Sequence, residues 1–469
     1  MTPAPSTAAT GPTDTRAQGP LLLLLGSALC WLVVSGVLSL VATIQLHTPG
    51  FLSACAWLTY GHMQALAESS FLYGWAANAA FAAAIWLLAR LGGAPLRALG
   101  LLTVGTLFWN LALTIGLVCI LFGEATGVPF LQMPAYIHPL LLFSCAAIST
   151  PGILAWTGRR QKATFATQWY AVAALFLFPW LYSLAQVMLL RAPVRGVAQA
   201  VVMAWFSQNL LTLWLVPITL AAAYYLVPKL SGRRVANYDF APHAFWTLLF
   251  CGAWSGTRVL LGGPVPAWIP AMGIVTTCIL LFHYAIVALN LREALGGGRG
   301  NPVFSFVSFG LFAYLLSGLV NAFCSFQFAA ELVQYTYFPV AQLKLVLVGA
   351  FSLPVFAVIY TMVPLITGVS WPSSGLIRAH LGLALLGLVA GVLGLALAGW
   401  VQGHELLNPA VPFTAIAAAT RPWLSVAIVG DALWLLGSLV LLLHFIRVHV
   451  AVVYSTFVAA PVAAEAVAS

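Results

Sequence analysis

Long apolar runs, separated by short segments that contain charged residues, Pro and Gly, make up most of this chain. A helix needs about 20 apolar residues to cross a bilayer, and the continuous runs exclude the alternating pattern of a transmembrane barrel. The pattern therefore predicts an all-α integral membrane protein, a bundle of twelve transmembrane helices. The predicted spans are residues 20–44, 67–92, 97–123, 135–157, 168–192, 198–228, 240–262, 265–291, 303–329, 336–368, 378–402 and 422–450.

The composition agrees with this pattern. Of 469 residues, 62% are hydrophobic and 6% are charged, whereas a soluble chain carries about 25% charged residues. The composition excludes a water-soluble globular protein. The net charge of +9 comes from few Lys and Arg residues scattered between the spans, so no basic patch for nucleic acid is expected.

The positions of the basic residues predict the orientation, since Lys and Arg accumulate on the cytoplasmic side. Thirteen of the eighteen fall on the side of the N-terminus, and Arg191, Arg195 and Arg421 fall on the opposite side. The remaining two, Arg258 and Lys344, lie inside predicted spans. We therefore expect both termini to be cytoplasmic.

The ends of the chain differ from the apolar body. Residues 1–19 are rich in Pro, Thr, Ala and Gly and are predicted to form a disordered cytoplasmic lead. The run at 20–44 is too long for a cleaved signal peptide. Residues 20–455 are predicted to form a single transmembrane domain, and 456–469 a loose C-terminal tail.

Three segments resemble the catalytic subunit (subunit I) of cbb3-type cytochrome c oxidases, in the haem–copper oxidase superfamily. They are TYGHMQALAESSFLYGWAAN at 59–78, WFSQNLLTLWLVPITLAAAYYLVPKL at 205–230, and Tyr335-Thr336 followed by IYTMVPLITG at 359–368. Phe245-Trp246 and Trp254-x-Gly256 continue the likeness into the seventh predicted helix. The resemblance covers roughly residues 20–455 and implies a bacterial inner-membrane protein of respiratory electron transport.

In that family, six histidines hold two haems and a copper ion, and the resemblance places none of them here. The low-spin haem ligands fall on Ala67 and Lys344, and the high-spin haem ligand falls on Gln342. The copper ligands fall on Gln208, Arg258 and Val259, and the family's cross-linked tyrosine falls on Gly252. Such a chain is a divergent relative with degenerate metal sites.

The replacements decide which chemistry is expected. Haem iron needs an imidazole, thiolate, thioether or phenolate, and copper needs converging imidazoles. Seven cysteines without a Cys-x-x-Cys pair exclude a thiolate site and covalently attached haem c. We predict no cofactor, no metal and no catalysis by the chain itself. Haem b and copper are expected only if the placement of the ligands is wrong. A relocated metal on the four outer histidines, His47, His62, His138 and His404, is an alternative.

Two hypotheses concern the ionisable residues inside the spans, which by default face the bundle interior. In the first, Glu68 and Lys344 form an ion pair across the vacated haem slot. The alternative is that Glu68 lies at the membrane surface and Lys344 extends to the interface.

The second hypothesis groups Gln208, Arg258 and Gln342 in the former oxygen-reduction pocket. They either form a polar cluster that fills the emptied space, which we favour, or bind an anion or small ligand. Asp431 has no partner that the sequence identifies.

Three functions are compatible with these observations. The first is a structural or anchoring subunit of a membrane redox complex, with a partner such as a c-type cytochrome. The second is a pathway for protons or a small solute through the vacated core. The third is a working cytochrome c oxidase or nitric oxide reductase with unusual ligands.

Overall fold

A computed structural model describes residues 15–298 and 300–454, and these residues are helical with no strand. We label the long helices α1 to α12 in chain order. They are α1 Thr15–His47, α2 Tyr60–Gly92, α3 Leu99–Leu121, α4 His138–Thr157, α5 Ala166–Arg191, α6 Val197–Ser231, α7 Ala241–Ser255, α8 Trp268–Leu295, α9 Pro302–Phe323, α10 Phe338–Thr367, α11 Ser374–Leu406 and α12 Phe413–Tyr454. A short helix, Gln327–Val333, lies between α9 and α10.

Eleven of these described helices are long and apolar enough to cross a membrane. The exception is α7, which has 15 residues and continues into a 3₁₀ turn at Gly256–Leu260. An all-α, multi-pass membrane fold is thus confirmed, while the count of twelve spans and the cytoplasmic termini stay predictions.

Several predicted boundaries differ from the structure by five residues or more. Helix α2 begins at Tyr60 and not at 67, α7 ends at Ser255 and not at 262, and α12 begins at Phe413 and not at 422. Helix α1 begins at Thr15, so residues 15–19 belong to a helix and not to the predicted disordered lead. The ninth predicted span, 303–329, ends early at Phe323, because the chain turns before the short helix. Residues 1–14 of the predicted lead and all of the predicted tail lie outside the described residues.

Three helices form the centre of the bundle. In the most apolar 18-residue segment of α2, α6 and α10, 83–100% of the residues are buried within the protein. In the corresponding segments of the other candidate spans, 33–50% are buried. The inner helices are therefore shielded from lipid by the outer ones. They are also the three helices on which the resemblance places Ala67, Gln208, Gln342 and Lys344.

Close packing of α11 against α12 depends on glycine. A Cβ atom on Gly430 would lie 2.3 Å from the backbone nitrogen of Gly391, and one on Gly387 would lie 2.7 Å from that of Trp434. Small residues let helix backbones approach closely in a membrane, where dispersion replaces the hydrophobic effect between helices. This approach sets the position of Asp431, the residue that follows Gly430.

We expect Gly430→Ala to destabilise the protein by about 1–3 kcal/mol, because backbone atoms of α11 cannot yield to the added methyl group. Thermal unfolding of the purified protein in detergent measures this effect. Gly382→Ala is the matched control, because nothing lies within 4 Å of a Cβ atom there. Equal melting temperatures for the two variants would contradict the tight approach of α11 and α12.

Candidate functional site

Each inner helix changes its winding close to a position that carries a metal ligand in the resembled family. π-Helical segments occur at Ser70–Ala76 in α2, Leu211–Leu215 in α6 and Leu345–Ser352 in α10. They begin within three residues of Ala67, Gln208 and Lys344, respectively. π-Helical turns redirect side chains and are frequent at functional sites, and here they lie beside positions on which the resemblance places metal ligands.

Lys344 forms a buried ion pair with Asp431. Its Nζ contacts Asp431 Oδ1, and the other carboxylate oxygen, Oδ2, accepts a hydrogen bond of 2.6 Å from Thr43 Oγ1. The Asp431 side chain is 7% exposed and that of Lys344 14%. The contact joins α10, α12 and α1, and the absence of a side chain on Gly391 leaves room for the lysine chain.

The predicted pair between Glu68 and Lys344 is wrong. The two carboxylate oxygens of Glu68 accept hydrogen bonds from Gln64 Nε2 at 2.7 Å and from Gln132 Nε2 at 2.6 Å. Glu68 is one residue, about 100° of helix rotation, from Ala67. It therefore faces the loop before α4, while Lys344 faces α12, where Asp431 is the partner that the sequence did not identify.

Gln208, Arg258 and Gln342 do converge, as predicted, on one cavity. Its volume is about 340 Å³, and it lies between α6, α8, α9 and α10 with Val259 at its rim. Arg258 Nη2 donates to Asn321 Oδ1 at 3.0 Å, and Gln208 Nε2 donates to Thr212 Oγ1 at 2.8 Å. These side chains line an open space, so the favoured prediction of a polar cluster that fills it is wrong.

The electrostatic balance of this cavity is uneven. Arg258 is the one charged residue among those that line it, and no Asp or Glu is present there. The Cys324 thiol also lines the cavity, in the loop after α9, and burial raises its pKa more than nearby Arg258 lowers it. The thiol therefore stays neutral near pH 7 and leaves the guanidinium charge unbalanced.

Asn321 and Cys324 are site residues that the sequence analysis missed. Both lie within or just after α9, where a polar side chain in an apolar run was the available signal. Neither position corresponds to a ligand in the resembled family, so the comparison with that family could not identify them.

Buried histidines have partners within the protein. His138 bonds Tyr182 Oη at 2.5 Å, His283 bonds Tyr314 Oη at 2.6 Å, and His380 bonds Tyr360 Oη at 3.0 Å. Across residues 15–298 and 300–454, no three His, Cys, Asp or Glu side chains come together in a way that could hold a metal ion. The four outer histidines therefore form no relocated metal site in that part of the chain.

Haem and copper do not fit the side chains at the family's ligand positions. Ala67 has no ligating atom, and the Lys344 amine is engaged by a carboxylate. The copper positions carry a glutamine bonded to Thr212, a guanidinium, and Val259. In addition, α2 and α10 contact each other directly. Trp75 Nε1 donates to Ser352 Oγ at 3.0 Å, and the Trp75 ring lies 5.2 Å from the Phe356 ring, centroid to centroid, at a tilt of 36°.

Comparison with known proteins defines the class. Residues 20–433 match the family described as cytochrome c and quinol oxidase polypeptide I. The chain belongs to this family, and it is a haem–copper oxidase subunit I-like membrane protein.

Individual relatives are distant. The chain is 24% identical over 437 residues to the cbb3-type cytochrome c oxidase subunit CcoN1 of Stutzerimonas stutzeri, covering 88% of this chain and 90% of the relative. It is 23% identical to cytochrome c oxidase subunit 1 of Rhodobacter capsulatus, covering 88% and 81%. A cryo-EM structure of a heme-copper terminal oxidase dimer superposes with a TM-score of 0.75 at 15% identity, covering 92% of this chain and 84% of that chain. The resemblance inferred from the motifs is confirmed.

We expect Lys344→Met to destabilise the protein by about 3–5 kcal/mol, because Asp431 would remain charged and buried without its partner. The double variant Lys344→Met with Asp431→Asn should recover most of this loss, since the amide can still accept from Thr43. Unfolding in detergent measures both. Arg292→Gln is the control, because the Arg292–Glu293 pair is about 60% exposed and should contribute less than 1 kcal/mol. No recovery in the double variant would contradict the pairing.

Glu68→Gln and Lys344→Met should have additive effects on the free energy of unfolding, within about 0.5 kcal/mol, because the two residues have separate partners. A double-mutant cycle in detergent measures the coupling. A coupling of 1 kcal/mol or more would restore the ion pair between Glu68 and Lys344.

Proposed function

We propose that this chain is a cofactor-free structural subunit, which anchors a membrane redox complex that includes a cytochrome partner such as a c-type cytochrome. The subunit I fold is retained over most of the chain, while ligating side chains are absent from all six positions at once. Replacement of the ligands at all six positions indicates that the metal-dependent activity as a whole was lost, and not that a single metal site was changed.

The Lys344–Asp431 ion pair is the observation that carries the proposal. In the resembled family, the position of Lys344 holds iron and thereby ties α10 to α2. Here the amine is engaged by the Asp431 carboxylate, which lies on α12. An electrostatic contact thus connects helices at the level where a metal would otherwise connect them.

The role as a subunit follows from the relatives. The Stutzerimonas stutzeri relative is by name one subunit of a cbb3-type oxidase. A chain with the same fold and no cofactor can keep the surfaces that contact other subunits while it contributes no electron transfer. The bacterial inner membrane is the corresponding location.

The transport and oxidase alternatives have weaker support. A proton or solute pathway would need charged groups along a continuous polar route, but Lys344 is paired and Glu68 is held by two glutamines. A working oxidase would need a copper ion held by several converging side chains, and no three His, Cys, Asp or Glu side chains come together for a metal ion among residues 15–298 and 300–454.

Purification of the full chain in detergent, followed by a dithionite-reduced minus oxidised spectrum, tests the proposal. We expect no haem b bands and less than about 0.1 iron and copper per chain, with any cytochrome signal confined to co-purifying subunits. A cbb3-type oxidase prepared in parallel is the positive control for haem retention.

The opposite result is equally informative. Stoichiometric haem b on the isolated chain would overturn the proposal and return the oxidase function to consideration. Lys344→Met would then identify the ligand, because loss of the haem signal in this variant alone would assign the iron to that amine.

A further inference from the structure

The cavity beside α10 holds a positive charge that no acidic group in its lining balances. Arg258 keeps its proton at any physiological pH, and its hydrogen-bond acceptor, the amide oxygen of Asn321, is neutral. The ion pairs among the described residues are Lys344–Asp431 and Arg292–Glu293. A charge in an apolar surrounding is expensive unless it is paired.

The Gln342 amide is a second polar group of this cavity. Its Nε2 is buried, and its polar neighbour is the thiol of Cys324. A thiol is a weak hydrogen-bond acceptor. A cation without an acidic partner and an amide with only a weak acceptor therefore border the same cavity.

The lining of the cavity is mixed, with polar side chains such as Ser317 and Gln334 beside apolar ones. Its volume of about 340 Å³ lies at the lower end of the roughly 300–1,000 Å³ of small-molecule sites. Val216 of α6 and Val346 of α10 are among its apolar walls. The side chains of Tyr335 and Val259, which are 78% and 42% exposed, lie at the mouth.

We propose that this cavity binds a small organic carboxylate, held by Arg258 and the Gln342 amide, with a short apolar body against Val216 and Val346. The planar guanidinium matches a carboxylate in geometry. One positive charge balances a monoanion, whereas a dianion such as hydrogen phosphate would bring uncompensated charge into the cavity. The inference rests on the proposed function, because it requires that Gln342 is not bound to haem iron.

Ligand titration of the full chain in detergent, in a buffer without carboxylate or phosphate, tests this site. Hexanoate should raise the melting temperature in a saturable manner and should bind at least tenfold more tightly than acetate, which lacks the apolar body. Hexanamide, the neutral analogue, and inorganic phosphate should give no saturable shift. No shift with hexanoate, an equal shift with hexanamide, or tighter binding of phosphate would overturn the proposal.

Variants identify the residues responsible. Arg258→Gln should weaken hexanoate binding by about 10- to 100-fold, because a charge-assisted hydrogen bond is lost. Arg191→Gln is the control, since Arg191 is exposed and outside the cavity. If Arg258→Gln does not fold, Gln342→Leu should still weaken binding several-fold. Unchanged affinity in the folded variant or variants would contradict the assignment.

The same preparation separates this inference from the proposed function. Its iron and copper content and its visible spectrum are measured before titration. Haem on the chain would refute the proposed function and the inference together. A haem-free chain that does not bind hexanoate would refute the carboxylate site alone.

Discussion

Hydrocarbon cannot solvate a charge, so each ionisable side chain inside this bundle needs a partner from the protein or from a bound ligand. The Lys344–Asp431 contact is the clearest consequence. It places a lysine of α10 against an aspartate of α12, and Thr43 of α1 completes the carboxylate's hydrogen bonds. Since α11 must approach α12 closely for this arrangement, the glycines at 391 and 430 belong to the same constraint.

The inner helices combine irregular winding with direct contacts. The change to π-helical winding in α2, α6 and α10 occurs near the positions on which the resemblance places metal ligands. Direct contacts between Trp75, Ser352 and Phe356 connect α2 to α10. Side-chain packing and hydrogen bonds therefore contribute to the arrangement of the inner helices.

Lys344 and Arg258, two cations inside predicted spans, have different electrostatic surroundings. At Lys344, the cation has a carboxylate partner, and the two side chains are 14% and 7% exposed. At Arg258, the cation bonds a neutral amide and borders a cavity of about 340 Å³. This difference distinguishes a structural ion pair from a site that favours a ligand. In the sequence, both residues have the same description, an ionisable side chain in an apolar segment.

The sequence by itself determined the class of the fold and the family, because apolar run lengths and short motifs are local properties of the chain. The absence of the family's metal ligands stays a prediction from those motifs. It placed eleven candidate spans correctly to within a few residues at most boundaries, and it indicated that Gln208, Arg258 and Gln342 converge. Only the tertiary structure showed which side chains pair with each other. Asp431 is 87 residues from Lys344, and a helix rotation of 100° separates Glu68 from the position that faces α10. Pairing across helices depends on rotation and approach distance, which hydropathy does not encode.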